Sequence, residues 1–348
     1  LAGRRCLEIS LEQTQPGPPF TMPLELEILA GGRPLRTTLW NHGRLQHYLL
    51  PVPAPVDAVA VDPEAWVLTR SVDDAAFVDG PPKVVAVEPA PGSTLRAGDP
   101  LSATVSFHED VVIGPGAVIG PHVTIGDRTR VDSNALVTGW TRIGADSHVH
   151  HGAVLGTAPQ DLKYAGAESY LEVGDHTEIR EYVTANLATD AGATTRIGSH
   201  CLLMAYAHVA HNCCVGDHVV VANAVQPAGY VAIEDWAIVG GGTLVHQFTR
   251  IGRHAMVGGG SRISQDVAPF VKAAGSPPRL AGLNRIGLQR RGFTAATCDV
   301  LDGAYRLLFR EGLTVSRAVE EIRRRWPVVP EAEYLARFAE TSVRGLTR

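Results

Sequence analysis

Two histidines, His208 and His211, stand three residues apart in LLMAYAHVAHNCCVG (residues 202–216), a stretch that is otherwise small, apolar or sulfur-bearing. Their imidazoles could be packed core groups, metal ligands, or a general base and its helper. A histidine is partly neutral near pH 7, so it can take a proton from a hydroxyl nucleophile. Which of these three roles applies depends on the secondary-structure elements that position the two residues.

The cysteines and the overall charge exclude several classes of protein. The five cysteines form an odd set without CxxC spacing, which predicts neither a disulfide framework nor a cysteine zinc site and fits a reducing compartment. The net charge of -5, from 31 Lys+Arg and 36 Asp+Glu, argues against a large nucleic-acid surface. We expect no metal and no nucleic-acid partner.

No apolar run reaches the length of a membrane span, and the first thirty residues lack the features of a signal peptide. These observations predict a soluble cytoplasmic protein without stable membrane insertion. The chain begins with Leu1 rather than Met, so its true start is left open.

An aliphatic residue recurs every sixth position without exception from Ile113 to Leu155, and 21 of the 26 in-phase positions from 113 to 263 are aliphatic. Neither a helix nor an ordinary strand has this period. Short strands and tight turns that alternate around a triangular coil of 18 residues do have it. The phase lapses at TAPQDLKYAGAESY (157–170) and ANLATDAGATT (185–195), which predicts loops there.

The repeat resembles the hexapeptide-repeat, left-handed parallel β-helix. We therefore predict a mainly β chain with four parts: a β-sandwich-like module at 1–80, a partial immunoglobulin-like segment or linker at 81–102, the left-handed β-helix at 103–270, and a C-terminal α-helical domain at 271–348. Residues 7–69 weakly resemble the non-catalytic β-sandwich tail of gluzincin aminopeptidases. The HExxH motif of those peptidases is absent.

Four separated motifs resemble the UDP-N-acetylglucosamine 3-O-acyltransferase family, which catalyses the first step of lipid A synthesis. They are QDLKYAG (160–166), LLMAYAHVAHNC (202–213), VHQF (245–248) and GLNRIGLQRRGF (282–293), and the likeness covers about residues 103–348. It implies acyl transfer from a 3-hydroxyacyl group on acyl carrier protein, carried by phosphopantetheine, to the 3-hydroxyl of UDP-N-acetylglucosamine. No other cofactor is implied, and a homotrimer is expected.

The resemblance also assigns roles to individual residues. His211 matches the general base, and Gly229 matches the residue whose backbone N–H meets the oxyanion. Gly259 matches the residue that limits acyl-chain length. The positions that match substrate-binding residues are His208, Lys163, Asp161, Gln160, His246, Gln247, Asn284, Arg290 and Arg291.

Three positions depart from the family pattern: Asn212 stands in place of Asp, Tyr230 in place of His, and Ile286 in place of Glu. Other functions stay open, namely a related acyltransferase for a 3-amino sugar nucleotide or another UDP-sugar, and a non-catalytic scaffold. A carbonic anhydrase of this fold would need H-x4-H spacing, which the H-x2-H pair at 208 and 211 lacks. Corner histidines such as His122 and His200 are expected to be structural.

Overall fold

The computed structural model describes residues 106–108, 110–114, 116–120 and 122–348, together with six strands nearer the start of the chain. By its internal contacts the chain divides into two compact units, Leu1–Lys83 and Val84–Arg348. The predicted immunoglobulin-like segment or linker at 81–102 lies outside the described residues.

The first unit contains two antiparallel sheets of three strands each, in the orders β4-β1-β6 and β3-β2-β5. The strands are β1 (Arg5–Glu12), β2 (Met22–Ala30), β3 (Arg33–Asn41), β4 (Leu45–Val52), β5 (Val56–Val61) and β6 (Phe77–Val78). The side chains of Ile28 in β2 and Leu39 in β3 are buried. The likeness of this region to the aminopeptidase tail stays a prediction.

The described part of the second unit begins with a solenoid of short strands, most of which follow one another at six-residue spacing. They are β7 (Ser106–Phe107), β8 (Val112–Ile113), β9 (Val118–Ile119), β10 (Thr124–Ile125), β11 (Arg130–Val131), β12 (Leu136–Val137), β13 (Trp140–Ile143), β14 (His148–Val149), β15 (Val154–Thr157), β16 (Tyr170–Val173), β17 (Glu178–Ile179), β18 (Thr184–Asn186), β19 (Thr194–Ile197), β20 (Leu202–Leu203), β21 (His208–Val209), β22 (Cys214–Val215), β23 (Val220–Val221), β24 (Gln226–Pro227), β25 (Ala232–Ile233), β26 (Ile238–Val239), β27 (Leu244–Val245), β28 (Arg250–Ile251), β29 (Met256–Val257) and β30 (Arg262–Ile263).

Every third strand joins the same parallel sheet, so the chain winds around three faces. One face runs from β7 to β28, the second from β8 through β29, and the third from β9 through β21 and then from β24 to β30. Leu136 pairs with Val118 on one side and Val154 on the other, which is the 18-residue register that the repeat predicts. The inward side chains of Ile125, Val131 and Val137 are fully buried, whereas Ile113 at the start of the described solenoid is exposed.

Both predicted interruptions are loops that leave this winding. Residues 158–169 lie between β15 and β16, and residues 187–193 lie between β18 and β19. The strands on either side still pair in register, as in Ile143 with Val173 and Ile179 with Leu203. Extra residues therefore leave the core alignment intact and are available for other tasks.

The corners of the solenoid place non-glycine residues in the left-handed backbone region, including His122, His176, His200 and His218. One corner forms a continuous column of stacked rings: His176, His200, His218, Trp236, His254 and Phe270. These contacts support the structural role that was predicted for the corner histidines.

The chain after the last hexad does not turn directly into helices. Residues 271–283, which fall within the span predicted as the C-terminal α-helical domain, form β31 (Val271–Gly275) and β32 (Pro278–Leu283), so the helices begin only at Arg285. β31 pairs in parallel with β29, and β32 folds back on β31. The free edge of the second face gives this Pro/Gly-rich segment partners that its composition does not reveal.

Four helices follow: α1 (Arg285–Arg290), α2 (Ala295–Phe309), α3 (Val315–Arg325) and α4 (Pro330–Glu340). Leu301, Tyr305, Leu307 and Leu308 of α2 are buried, so this helix turns an apolar face to the core. Within the described part of the chain, no helix is both long enough and apolar enough to span a bilayer.

Candidate active site

His211 lies in the turn after β21, with Asn212 beside it in the left-handed region at φ 59°. Asparagine tolerates that conformation better than most residues. The Nδ1 atom of His211 is 3.0 Å from Oδ1 of Asn212. Asn212 is therefore the group that orients the imidazole, in the position where the family pattern has aspartate.

The loop at 187–193 fixes which way the Asn212 amide faces. The backbone N–H of Thr189 donates to Asn212 Oδ1 at 3.0 Å, and the Thr189 hydroxyl donates to the same oxygen at 2.8 Å. A backbone N–H can only donate, so the atom it meets must be the oxygen. His211 Nδ1 must then carry the proton, which leaves Nε2 of the neutral ring as a proton acceptor.

Gly229 lies directly against the His211 ring. A Cβ atom at this position would lie 2.4 Å from Cε1 and 2.6 Å from Nε2 of the imidazole, closer than carbon atoms approach. Among the described residues, the Gly229 N–H meets no acceptor. A free N–H beside the acceptor nitrogen of a histidine suits stabilisation of a developing oxyanion.

Tyr230, one of the departures from the family pattern, forms the other wall of this site. Its ring meets the His211 ring edge-on, with centroids 5.4 Å apart, and stacks on Phe248. Its hydroxyl lies 3.0 Å from the Thr189 hydroxyl and 3.2 Å from Asp190 Oδ2. Tyr230 thus ties the 187–193 loop to the turn that carries His211.

His208 occupies strand β21, half-buried, with Nδ1 2.7 Å from the hydroxyl of Thr184 on the neighbouring coil. Burial lowers the pKa of His208, and the nearby His211 lowers it further, although the contact with Thr184 opposes the shift. His208 is therefore neutral at pH 7 and able to donate or accept one hydrogen bond.

Other predicted substrate residues lie apart from His211 within one chain. Gln160 and Lys163 are exposed in the 158–169 loop, where Asp161 Oδ1 accepts from the Lys163 backbone N–H at 2.9 Å. Across residues 122–348, no hydrogen bond joins this loop to His211. The side chain of Leu162, at the same tip, is completely exposed.

His246 and Gln247 are exposed on the third face, where the C-terminal end of the chain approaches them. The guanidinium of Arg344 lies 3.2 Å from His246 Nδ1. The same Nδ1 lies 3.1 Å from the carbonyl oxygen of Gln247, so a hydrogen-bond donor and an acceptor both face this nitrogen. Gly259 is exposed, and the atom nearest to a Cβ there would be the Gly241 carbonyl oxygen, at 3.1 Å.

The residues predicted to hold the nucleotide stand where α1 meets the solenoid. Asn284 is buried and its amide donates to the His254 carbonyl at 3.0 Å. The Arg291 guanidinium lies over the Trp236 ring, 5.1 Å from its centroid, and burial lowers the pKa of Arg291. Arg290 is exposed, as is Ile286 on the same helix. Asn284 and Arg291 thus also dock α1.

Sequence reasoning missed the parts of the site that come from outside the motifs. Thr189 and Asp190 lie in a loop that the sequence marked only as a lapse in the repeat, and Arg344 comes from the end of the chain. No motif signals them, because their contacts with Asn212, Tyr230 and His246 join residues far apart in sequence.

Comparison with known proteins agrees with this architecture. Residues 266–347 match the family described as Udp N-acetylglucosamine O-acyltransferase, Domain 2, and residues 104–139 and 194–225 match bacterial transferase hexapeptide repeats. An acyl-[acyl-carrier-protein]--UDP-N-acetylglucosamine O-acyltransferase of Thermodesulfovibrio yellowstonii is 43% identical over 249 residues, which are 71% of this chain and 96% of that protein. The corresponding protein of Syntrophobacter fumaroxidans is 44% identical over 250 residues, 71% of this chain and 97% of its own.

The chain belongs to the UDP-N-acetylglucosamine O-acyltransferase family. Solved structures of the family agree: LpxA from Acinetobacter baumannii has a TM-score of 0.68 at 43% identity, over 70% of this chain and 95% of that one. The Francisella novicida UDP-N-acetylglucosamine acyltransferase has a TM-score of 0.66 at 32% identity, over 70% and 92%. The predicted left-handed parallel β-helix with a helical C-terminal part is confirmed, and the chain is an acyltransferase.

The burial of His254 in the ring column predicts how the free energy of unfolding depends on pH. Burial lowers the pKa of His254 to about 4, and the charges of Arg291 and Arg253 add to the shift. An unfolded chain takes up this proton near pH 6.5, whereas the folded chain does so only near pH 4. Stability is thus fully present above pH 6.5 and is lost as the pH falls through this window, by on the order of 3 kcal/mol.

We expect His254→Gln to flatten the dependence of unfolding free energy on pH between 6.5 and 4, measured by urea unfolding at several pH values. The absolute stability of the variant does not enter the test, because only the slope is compared. An unchanged slope would contradict the proposed burial of a neutral imidazole.

Proposed function

We propose that the enzyme transfers a 3-hydroxyacyl group from acyl carrier protein to the 3-hydroxyl of UDP-N-acetylglucosamine. The observation that carries the proposal is His211, whose Nδ1 is held by Asn212 and whose ring packs against Gly229, a residue whose backbone N–H meets no acceptor among the described residues. The relatives named above carry this activity in their names. A base and an oxyanion donor at one point are what attack of a hydroxyl on a thioester requires.

In this mechanism Nε2 of His211 removes the proton from the sugar hydroxyl as the oxygen attacks the thioester carbon. The tetrahedral oxyanion accepts a hydrogen bond from the Gly229 N–H. Collapse of the intermediate releases the phosphopantetheine thiol, which takes up a proton from the imidazolium. Asn212 and Thr189 keep Nδ1 protonated, so the neutral His211 ring presents its Nε2 lone pair to the sugar hydroxyl before the attack.

The remaining predicted residues bind substrate in this proposal. His208, His246 and Gln247 contact the sugar and the acyl donor, and Gln160, Asp161 and Lys163 reach the sugar from the 158–169 loop. Arg290 and Arg291 pair with the pyrophosphate, and Asn284 with the uracil. Gly259 leaves the acyl groove open, which favours a longer chain.

The domain bounds and the location are proposed in the same way. Residues 103–270 and 271–348 would form the acyltransferase, with 1–80 and 81–102 outside it. A cytoplasmic location is supported by the four free thiols of the described residues, Cys201, Cys213, Cys214 and Cys298. Phosphopantetheine on the carrier protein would be the only prosthetic group involved.

We expect His211→Ala to lower kcat by roughly 10²- to 10⁴-fold, the usual cost of removing a general base, with little change in nucleotide binding. Acyl transfer from 3-hydroxyacyl carrier protein to UDP-N-acetylglucosamine is measured. His200→Asn, which changes a corner histidine, serves as the control and should retain activity. Undiminished kcat in His211→Ala would refute the mechanism, and wild-type inactivity on this sugar and its 3-amino analogue would point to another acyltransferase.

Asn212→Asp tests the orienting contact. The carboxylate can accept from the same three donors, and its charge stabilises the protonated imidazole, so the acidic limb of kcat/KM should move to higher pH. Asn134→Asp is the matched control, since Asn134 also occupies a left-handed corner, at φ 58°. The rate is followed from about pH 5 to 9. An acidic limb at the same pH in both variants would mean that Asn212 does not contact the catalytic base.

A homotrimer with active sites shared between neighbouring chains is proposed for a structural reason. Among the described residues, the loop with Gln160, Asp161 and Lys163 forms no hydrogen bond with His211 of its own chain, and Leu162 at its tip is wholly exposed. An apolar side chain in that position favours burial against another copy of the chain.

We expect sedimentation equilibrium to give three chains per particle. Leu162→Asp should weaken assembly and activity together, whereas Val328→Asp, at an equally exposed position between α3 and α4, should affect neither. A stable and fully active monomer would exclude shared active sites.

A further inference from the structure

A compact group of possible metal ligands lies on the second face of the solenoid, away from His211 on the third. Asp132 follows β11, His148 lies in β14 and His150 follows β14. In register, His148 stands between Arg130 on one coil and Glu178 on the next. Outward positions of adjacent coils are close neighbours, so three coils contribute to one small patch.

The donor atoms of the three residues converge. Asp132 Oδ2 is 2.9 Å from His148 Nε2 and 3.7 Å from His150 Nδ1. These separations bracket the ~3.3 Å between neighbouring ligands of a tetrahedral zinc ion with bonds of about 2.0–2.1 Å. The two imidazole rings are stacked, 3.7 Å apart, and all three side chains are half-buried.

A second carboxylate prepares His150 for this role. Glu178 Oε1 lies 2.8 Å from His150 Nε2 and accepts its proton. The Nδ1 atom of the neutral ring is then the lone pair that faces Asp132. A carboxylate on the far nitrogen of a metal-bound histidine is the usual way in which proteins orient that ligand.

The surrounding charge also suits a cation. Arg130 Nε lies 2.6 Å from Asp132 Oδ1, and Arg180 Nη2 lies 2.9 Å from Glu181 Oε1. Three carboxylates, Asp132, Glu178 and Glu181, thus face two guanidiniums, Arg130 and Arg180, so carboxylates outnumber guanidiniums in the patch.

The other histidine groups of the solenoid lack this arrangement. His176, His200 and His218 also stack, but as a column of corner rings. In the described part of the chain, Asp132, His148 and His150 are the single set of three or more such residues whose donor atoms come within 4.8 Å of one another. Ring stacking alone therefore does not produce the convergence.

We infer that Asp132, His148 and His150 form a binding site for a divalent first-row transition ion such as Zn²⁺, with water in the remaining coordination position. Two imidazoles and a carboxylate are the ligand types that such ions prefer. Because Asp132 and the two histidines belong to successive coils, a bound ion would link those coils and stabilise the solenoid. The site takes no part in the proposed acyl transfer.

The test uses the full chain without a histidine tag, stripped of metal and then titrated with Co²⁺ and with Zn²⁺. We expect one Co²⁺ per chain with the visible absorption of a low-symmetry site, and a Tm that rises with the Zn²⁺ concentration. His148→Gln and Asp132→Asn should each abolish the absorption and the rise in Tm. His200→Asn, which alters a stacked histidine outside the site, should keep both.

The metal-free Tm and circular dichroism of each variant show whether it has folded. If His148→Gln does not fold, Asp132→Asn serves as the test of the site. Loss of Co²⁺ binding in a folded variant supports the site. Equal stoichiometry and affinity in His148→Gln and the parent chain would overturn the inference, as would the absence of saturable binding in the parent chain up to millimolar Co²⁺.

Discussion

The packing of one inward aliphatic side chain per hexad against the same position of the next coil is the constraint on which the rest of the structure depends. These side chains have no contact with water, as for Ile125, Leu155 and Ile179. A coil that lost its 18-residue register would turn them outward and leave cavities behind. The register of the core therefore determines which residues of each coil face outward, including the residues of both sites described above.

The proposed active site arises where this rule is interrupted. The loop at 187–193 is added between two strands that remain in register, and it brings Thr189 and Asp190 to the turn that holds Asn212 and Tyr230. A rigid solenoid positions His211 and Gly229, and a loop supplies the hydrogen bonds that set the tautomer. Tyr230 keeps the loop in place through two hydroxyl contacts, a task that explains a polar aromatic ring at this corner.

The regular winding also places the outward side chains of adjacent coils next to one another. Residues 18 apart face each other across one strand spacing, so a histidine or carboxylate on one coil is automatically close to its counterpart on the next. The corner column of His176, His200 and His218 and the cluster around Asp132 both follow from this geometry. They differ in chemistry because the second brings the ring nitrogens of two histidines to the same carboxylate oxygen of Asp132.

The sequence by itself determined the solenoid, its two loops and the family, because a six-residue period and spaced motifs are local patterns that can be recognised without knowledge of tertiary contacts. It did not reveal β31 and β32, since their pairing depends on a free sheet edge formed by residues far earlier in the chain. Nor could it show that Thr189 fixes the orientation of Asn212, that Arg344 meets His246, or that Asp132, His148 and His150 converge. Those contacts join distant residues at distances of a few ångström, which only the wound and closed tertiary structure decides.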